Sequence, residues 1–192
     1  MIFRWGHFAD LHFEFENYDT DVLRPSLIKI LKNLSLDALL IAGDIFHKGQ
    51  NGHRESEKVR EYLHAMADAC GCKYQNIFIT AGNHDLERSE TRAGVLDAII
   101  KDYKKNPRNL QTKPNHRSNV IHHSVCAPFQ NAVNLVRGGN DAPLIHGVYE
   151  LEHANIIILN TAIFAGQTYP GQENPDRSLE DTALYIADHH LS

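Results

Sequence analysis

Three short polar segments carry the chemistry of this chain: Asp10-Leu11-His12, Gly43-Asp44 and Gly82-Asn83-His84-Asp85. Each follows an apolar run of the kind that forms a buried strand. They supply carboxylates, imidazoles and an amide, the donor types that hold divalent metal ions. Two such ions side by side clamp a phosphate and activate a water for attack on it. One donor must bridge the pair, and a carboxylate does so best because it has two oxygens and a full charge; Asp44 is the expected bridge. Asp10 and His12 are the expected ligands of the first ion, and Asn83 of the second through its amide oxygen. Oxygen and imidazole donors together suit Mn²⁺, Fe²⁺ or Zn²⁺ better than Ca²⁺. His84 adjoins a ligand without being one. Its imidazole could protonate a departing alkoxide or hold a phosphate oxygen. Asp85 completes the expected catalytic pair by orienting that ring or fixing its charge.

The surrounding pattern has to place these segments together. Strands are expected over Met1–Ala9, Asp37–Ala42 and Asn76–Thr80. Asp21–Leu34 has Leu23, Leu27, Ile30, Leu31 and Leu34 at helical spacing, and Arg54–Cys70 repeats the pattern with Val59, Tyr62, Leu63, Met66 and Ala69. Gly71 reads as a helix stop. A further helix, capped at Ser89 or Thr91, is expected to run to about Lys105 through Val95, Leu96, Ile99 and Ile100. Strand and helix in alternation imply an α/β fold with a parallel sheet and right-handed crossovers. Ligands then gather at the carboxyl ends of the strands, where all three segments fall.

Later residues are less regular. Lys104–Ser118 reads as a basic loop, Val120–Cys126 as a strand, and Val133–Pro143, with Gly138-Gly139-Asn140-Asp141, as a turn or loop. Leu144–Leu151 and Asn155–Thr161 form an expected hairpin around Glu152-His153-Ala154. Its Ile156–Leu159 run is apolar enough for an interior strand of a second sheet. Ala165–Ser178 reads as loop and Leu179–Leu191 as a final helix.

With 192 residues, 42% hydrophobic and 22% charged, the chain can bury a core as one globular domain. A net charge of −5 does not advertise nucleic-acid binding, although bound divalent ions would offset it. Cys70, Cys72 and Cys126 make neither a disulfide framework nor a zinc spacing, which points to a reducing compartment. No leader-like segment and no apolar run of membrane-spanning length occurs, so a cytoplasmic protein without a membrane partner is expected.

The stretches His7-Phe8-Ala9-Asp10-Leu11-His12, Leu39-Leu40-Ile41-Ala42-Gly43-Asp44-Ile45-Phe46 and Ala81-Gly82-Asn83-His84-Asp85 resemble the calcineurin-like metallophosphoesterases. The wording of the first two is most similar to the nuclease subunit of double-strand-break repair complexes. The run from Gly82 to Arg88 also resembles phosphoesterase domains at the front of larger bacterial proteins. The resemblance implies a four-layer αββα sandwich, a dinuclear centre with Mn²⁺ as the first choice, and hydrolysis of a phosphodiester or phosphomonoester. DNA is the leading substrate. A metallophosphatase or a nucleotide phosphodiesterase is the alternative.

Two further Gly-His motifs that complete both metal sites in that family have no match here. Residues 1–192 therefore read as the N-terminal portion of such a domain, lacking its C-terminal part. The rest would come from a C-terminal portion, an associated ATPase or a homo-oligomer, and alone the chain could be an inactive half-site. His146, His153, His189 and His190 are conceivable stand-ins, each more simply read as an exposed or capping histidine. His47 stands where many relatives carry an acid. His122 and His123 would face opposite sides of a strand. Arg88, with Arg92, could meet a substrate phosphate. The basic run Lys101, Lys104, Lys105, Arg108 and Lys113 is more simply a solvated face than a nucleic-acid contact.

Overall fold

A computed structural model describes residues 2–13, 18–46, 56–86, 126–143, 146–160 and 162. The run Ala-Leu-Leu-Ile-Ala forms β2 (Ala38–Ala42), flanked on either side by β1 (Trp5–Phe8) and β3 (Ile77–Thr80) in a parallel sheet. Register puts Phe8 beside Ile41 and Ile41 beside Ile79. Side chains alternate across a strand, so a continuous apolar run supplies two cores at once. Leu39, Ile41, Ile77 and Ile79 enter one core with the helices, while Ala38 and Phe78 enter another with Ile158 of the second sheet.

The helical layer comprises α1 (Tyr18–Leu31), α2 (Ser56–Cys70) and α3 (Ala127–Arg137). α1 lies about three residues ahead of the span read from hydrophobic spacing. Beyond Leu31 the chain tightens, with Leu34 N–H donating to Leu31 O at 2.9 Å, and Leu36 N–H then docks on Cys70 O at 3.1 Å. Leu23, Ile30 and Leu34, all counted toward the core stripe, are exposed on its outer side. α2 buries Val59, Leu63, Met66, Ala67 and Cys70. It stops at Gly71, whose φ of 74° lets Cys72 N–H reach back to Ala67 O at 2.9 Å, a Schellman closure.

α3 corrects the sequence reading, which took Val133 onward as loop and Val120–Cys126 as strand; of the latter only Cys126 is described, in the turn that opens α3. The helical signal was there. Pro128 sits in the first turn, Phe129, Ala132, Val133 and Val136 recur at helical spacing, and Gly138 closes the end at φ 69°. The glycine pair after the helix, a C-cap and turn, masked the periodicity before it.

The expected hairpin is present. β4 (Gly147–Glu150) and β5 (Asn155–Ile158) pair antiparallel, with Leu151 N–H donating to Ala154 O at 2.8 Å across the turn. Its inward face meets the parallel sheet through Phe78 and Tyr149, ring centroids 4.9 Å apart, and through Thr80 Oγ1–H donating to Leu159 O at 3.0 Å. Among the described residues the apolar run pairs with β4 alone, and its outer face is open, with Ile157 64% exposed and Leu159 37%. Among the described residues this sheet buries only its inner face.

Arg137 joins three layers. It is 3% exposed, chelates Asp141 with Nε and Nη2 at 3.2 and 2.7 Å, and donates from Nη1 to Ile77 O at 2.9 Å. Its guanidinium lies 4.2 Å from the Tyr149 ring centroid. The hydrogen bonds from Arg137, reinforced by its charge, hold the Asp141 carboxyl below its usual range. The cysteines are buried and form no disulfide, and burial pushes the Cys72 thiol up to about 12, so it behaves as a packing group rather than a nucleophile. No helix among the described residues is long and apolar enough to cross a membrane. The stretches read as a helix from Ser89 or Thr91 to about Lys105, as loops over Lys104–Ser118 and Ala165–Ser178, and as a helix over Leu179–Leu191 lie outside the described residues, as do His47, Arg88, Arg92, His122, His123, His189 and His190.

Candidate metal centre

Parallel pairing of β1 and β2 continues past their ends. Asp10 N–H donates to Gly43 O at 3.1 Å, His12 N–H to Asp44 O at 3.0 Å and Phe13 N–H to Ile45 O at 2.8 Å. The first two polar segments are thus zipped together by backbone. Asp10, His12 and Asp44 have φ of 56°, 40° and 51°, and they are the non-glycine residues with positive φ among those described. A left-handed backbone costs an L-residue about 1–3 kcal/mol, and the cost is tolerated where a site demands a particular side-chain direction. These same three residues converge, with one ligand atom from each lying within 4.8 Å of the others. His12 Nε2 is 3.8 Å from Asp10 Oδ1.

The third segment enters from β3. His84 N–H donates to Asp44 Oδ1 at 2.8 Å, and the His84 ring stands perpendicular to that of His12 with centroids 5.1 Å apart. Two glycines allow this approach. A Cβ on Gly82 would overlap the Asp44 carboxylate and its backbone nitrogen, and one on Gly43, itself at φ 85°, would fall 2.8 Å from Gly82 Cα. Gly82→Ala is therefore expected to displace the Asp44 carboxylate and weaken divalent-metal binding by at least about tenfold, read as the Mn²⁺ dissociation constant by calorimetry. Wild-type affinity in that variant would show that the close approach is dispensable.

Asp85 is fully buried, and its carboxylate accepts two backbone N–H groups, Phe46 to Oδ1 and Gly82 to Oδ2, each at 2.8 Å. It ties the second and third loops together from beneath. Desolvation raises its pKa to about 7 against the lowering effect of those bonds.

A family model for calcineurin-like phosphoesterases matches residues 3–190. The chain belongs to that family. It is 31% identical over 170 residues to the uncharacterized metallophosphoesterase-like protein YydB of Bacillus subtilis, an alignment that covers 86% of this chain and 34% of YydB. The chain thus spans about a third of the length of that relative.

In this metallophosphoesterase the donor set fits a divalent cation. Two carboxylates and an imidazole from two adjacent loops point into one small volume, a mixture that transition ions accept. Asn83 lies half-buried in the same turn as His84. The use made of Asp85, which holds backbone amides, and the close approach of Gly43 to Gly82 were not legible in the sequence. The Gly residues preceding Asp44 and Asn83 were the only signal.

Of the stand-in histidines, His153 is exposed on the hairpin turn, 3.5 Å from Glu152. His146 is part-buried and accepts Asn160 N–H on Nδ1 at 2.9 Å, which puts its proton on Nε2, and burial lowers its pKa. Leu159 adjoins Thr80, so His146 and Asn160 lie at the same end of the sheets as the three loops, without joining the Asp10, His12 and Asp44 cluster.

Proposed function

We propose that this metallophosphoesterase hydrolyses phosphodiesters, with DNA as the substrate class, using divalent ions held by Asp10, His12, Asp44 and Asn83. The observation that carries the reading is the convergence of Asp10, His12 and Asp44, each held in a left-handed turn. Divalent cations contribute Lewis acidity toward a phosphoryl oxygen and toward water. Mn²⁺ is the first choice for the mixed oxygen and imidazole donors, ahead of Fe²⁺ and Zn²⁺. Asp44 would hold both ions through its carboxylate, one oxygen of which accepts His84 N–H at 2.8 Å. His84 delivers a proton to the leaving oxygen, its ring set beside His12 by that bond. Asp85 positions His84 from below through the backbone. DNA, rather than a monoester, is favoured by the wording of the Asp10 and Asp44 segments.

The same proposal covers the architecture. Helices, parallel sheet and second sheet correspond to three layers of an αββα sandwich. Further ligands for the second ion are then expected outside the described residues, from Arg88 onward in this chain or from another polypeptide.

Incubation with Mn²⁺ and bis-p-nitrophenyl phosphate, p-nitrophenyl phosphate or labelled DNA tests the reading. Hydrolysis of the diester and of DNA, abolished by EDTA, is expected; turnover of the monoester alone would make it a phosphatase. His84→Ala should keep its Mn²⁺ and lose about 10²–10⁴-fold in kcat. Loss of the metal instead would make His84 a ligand.

A further inference from the structure

Phe13 directly follows His12, and its ring is held by two helices. The Arg24 guanidinium of α1 lies 4.1 Å from the Phe13 ring centroid. The Tyr62 ring of α2 meets Phe13 at 5.2 Å with a 65° interplanar angle. The Tyr62 hydroxyl donates to Arg24 O at 3.3 Å, which closes a circuit from α1 through the loop to α2 and back. Burial pushes the Tyr62 phenol up to about 12, so the donor keeps its proton. On the other side Phe13 N–H is fixed to Ile45 O at 2.8 Å.

We infer that Arg24 is a positioning residue of the metal centre, clamping Phe13 so that His12 is held in its left-handed turn toward Asp10 and Asp44. This rests on the reading of those three residues as metal ligands. His12 sits at φ 40°, a conformation an L-residue leaves unless its neighbours hold it. Its own N–H is tied to Asp44 O and the next N–H, that of Phe13, to Ile45 O, so the backbone is anchored on one side only. The ring of Phe13 anchors it on the other, toward the helices, and a planar guanidinium over its face adds a directional attraction to the contact. Lysine offers the charge without the flat face. None of these contacts touches a ligand atom, so the effect reaches the metal only through the backbone of His12 and Phe13.

The test is calorimetric Mn²⁺ titration of the full chain as wild type, Arg24→Ala, Arg24→Lys, Phe13→Leu and the double variant Arg24→Ala with Phe13→Leu, with thermal melts in EDTA alongside. Arg24→Ala should raise the Mn²⁺ dissociation constant about 10–100-fold, the range for groups that orient ligands. Arg24→Lys should recover only part of the affinity and serves if the alanine variant does not fold. The double variant should bind no more weakly than the weaker single one, because both break the same clamp. Variants that melt earlier yet keep wild-type affinity, or losses that simply add, would overturn the inference. A wild-type chain that takes up no Mn²⁺ would overturn the ligand reading and this inference with it; wild-type uptake with unaltered variants overturns this inference alone.

Discussion

Asp44→Ala is expected to abolish divalent-metal binding altogether, with an affinity loss well beyond the roughly 10–100-fold seen when groups outside the ligand set are changed. Asp44 stands where the loops after β1, β2 and β3 meet. Its carbonyl accepts His12 N–H at 3.0 Å and its carboxylate accepts His84 N–H at 2.8 Å. In the proposed centre, removing the carboxylate deletes the donor that both ions would share, and it removes one of the bonds that join the third loop to the second. Asp44→Asn separates the two effects. Its amide oxygen can still take the His84 N–H, so the loops stay joined, but the charge is gone. Metal binding should fall in both variants, and the melting temperature in EDTA should fall mainly in the alanine variant. Unchanged Mn²⁺ stoichiometry in Asp44→Ala would refute the bridging role.

Asp85→Ala should give the largest loss of stability among the site residues. It leaves two N–H groups, of Phe46 and Gly82, without the acceptor that each now uses. A buried donor stranded in this way costs about 1–3 kcal/mol, so a loss of roughly 2–6 kcal/mol is expected in urea unfolding. Linkage adds a pH signature in the metal-free chain. Burial raises the folded pKa of Asp85 from 3.8 to about 7, so between those values the folded chain holds a proton that the unfolded chain has released. The contribution of Asp85 is therefore full below about pH 4 and declines as pH rises to about 7. The stability gap between wild type and the non-titrating Asp85→Asn should shrink across that window. A gap that is flat from pH 4 to 7 would show that Asp85 keeps an ordinary pKa.

The strand ends and their order were legible because local chemistry wrote them. A continuous apolar run such as Leu39-Leu40-Ile41-Ala42 must be buried on both faces, and the polar residues after it must emerge at the sheet edge. α2 was legible for the same reason, its stripe ending at a glycine. α3 was misread because the glycine pair behind it was taken as the character of the whole segment. The exposure of Ile157 was not readable, since an apolar strand face looks the same in sequence whether or not another layer covers it.

The residue types of Asp10, His12, Asp44, Asn83 and His84, and their spacing after strands, were set by the sequence alone. The chain's membership of the calcineurin-like phosphoesterase family agrees with the resemblance those segments carry. Tertiary structure decided how they meet. Positive φ at Asp10, His12 and Asp44 is a conformation that local propensity disfavours, and only the bonds from one loop to the next make it the stable choice. The role of Asp85 was likewise decided in three dimensions: a carboxylate next to a histidine in sequence turned inward, where it accepts the amides of Phe46 and Gly82.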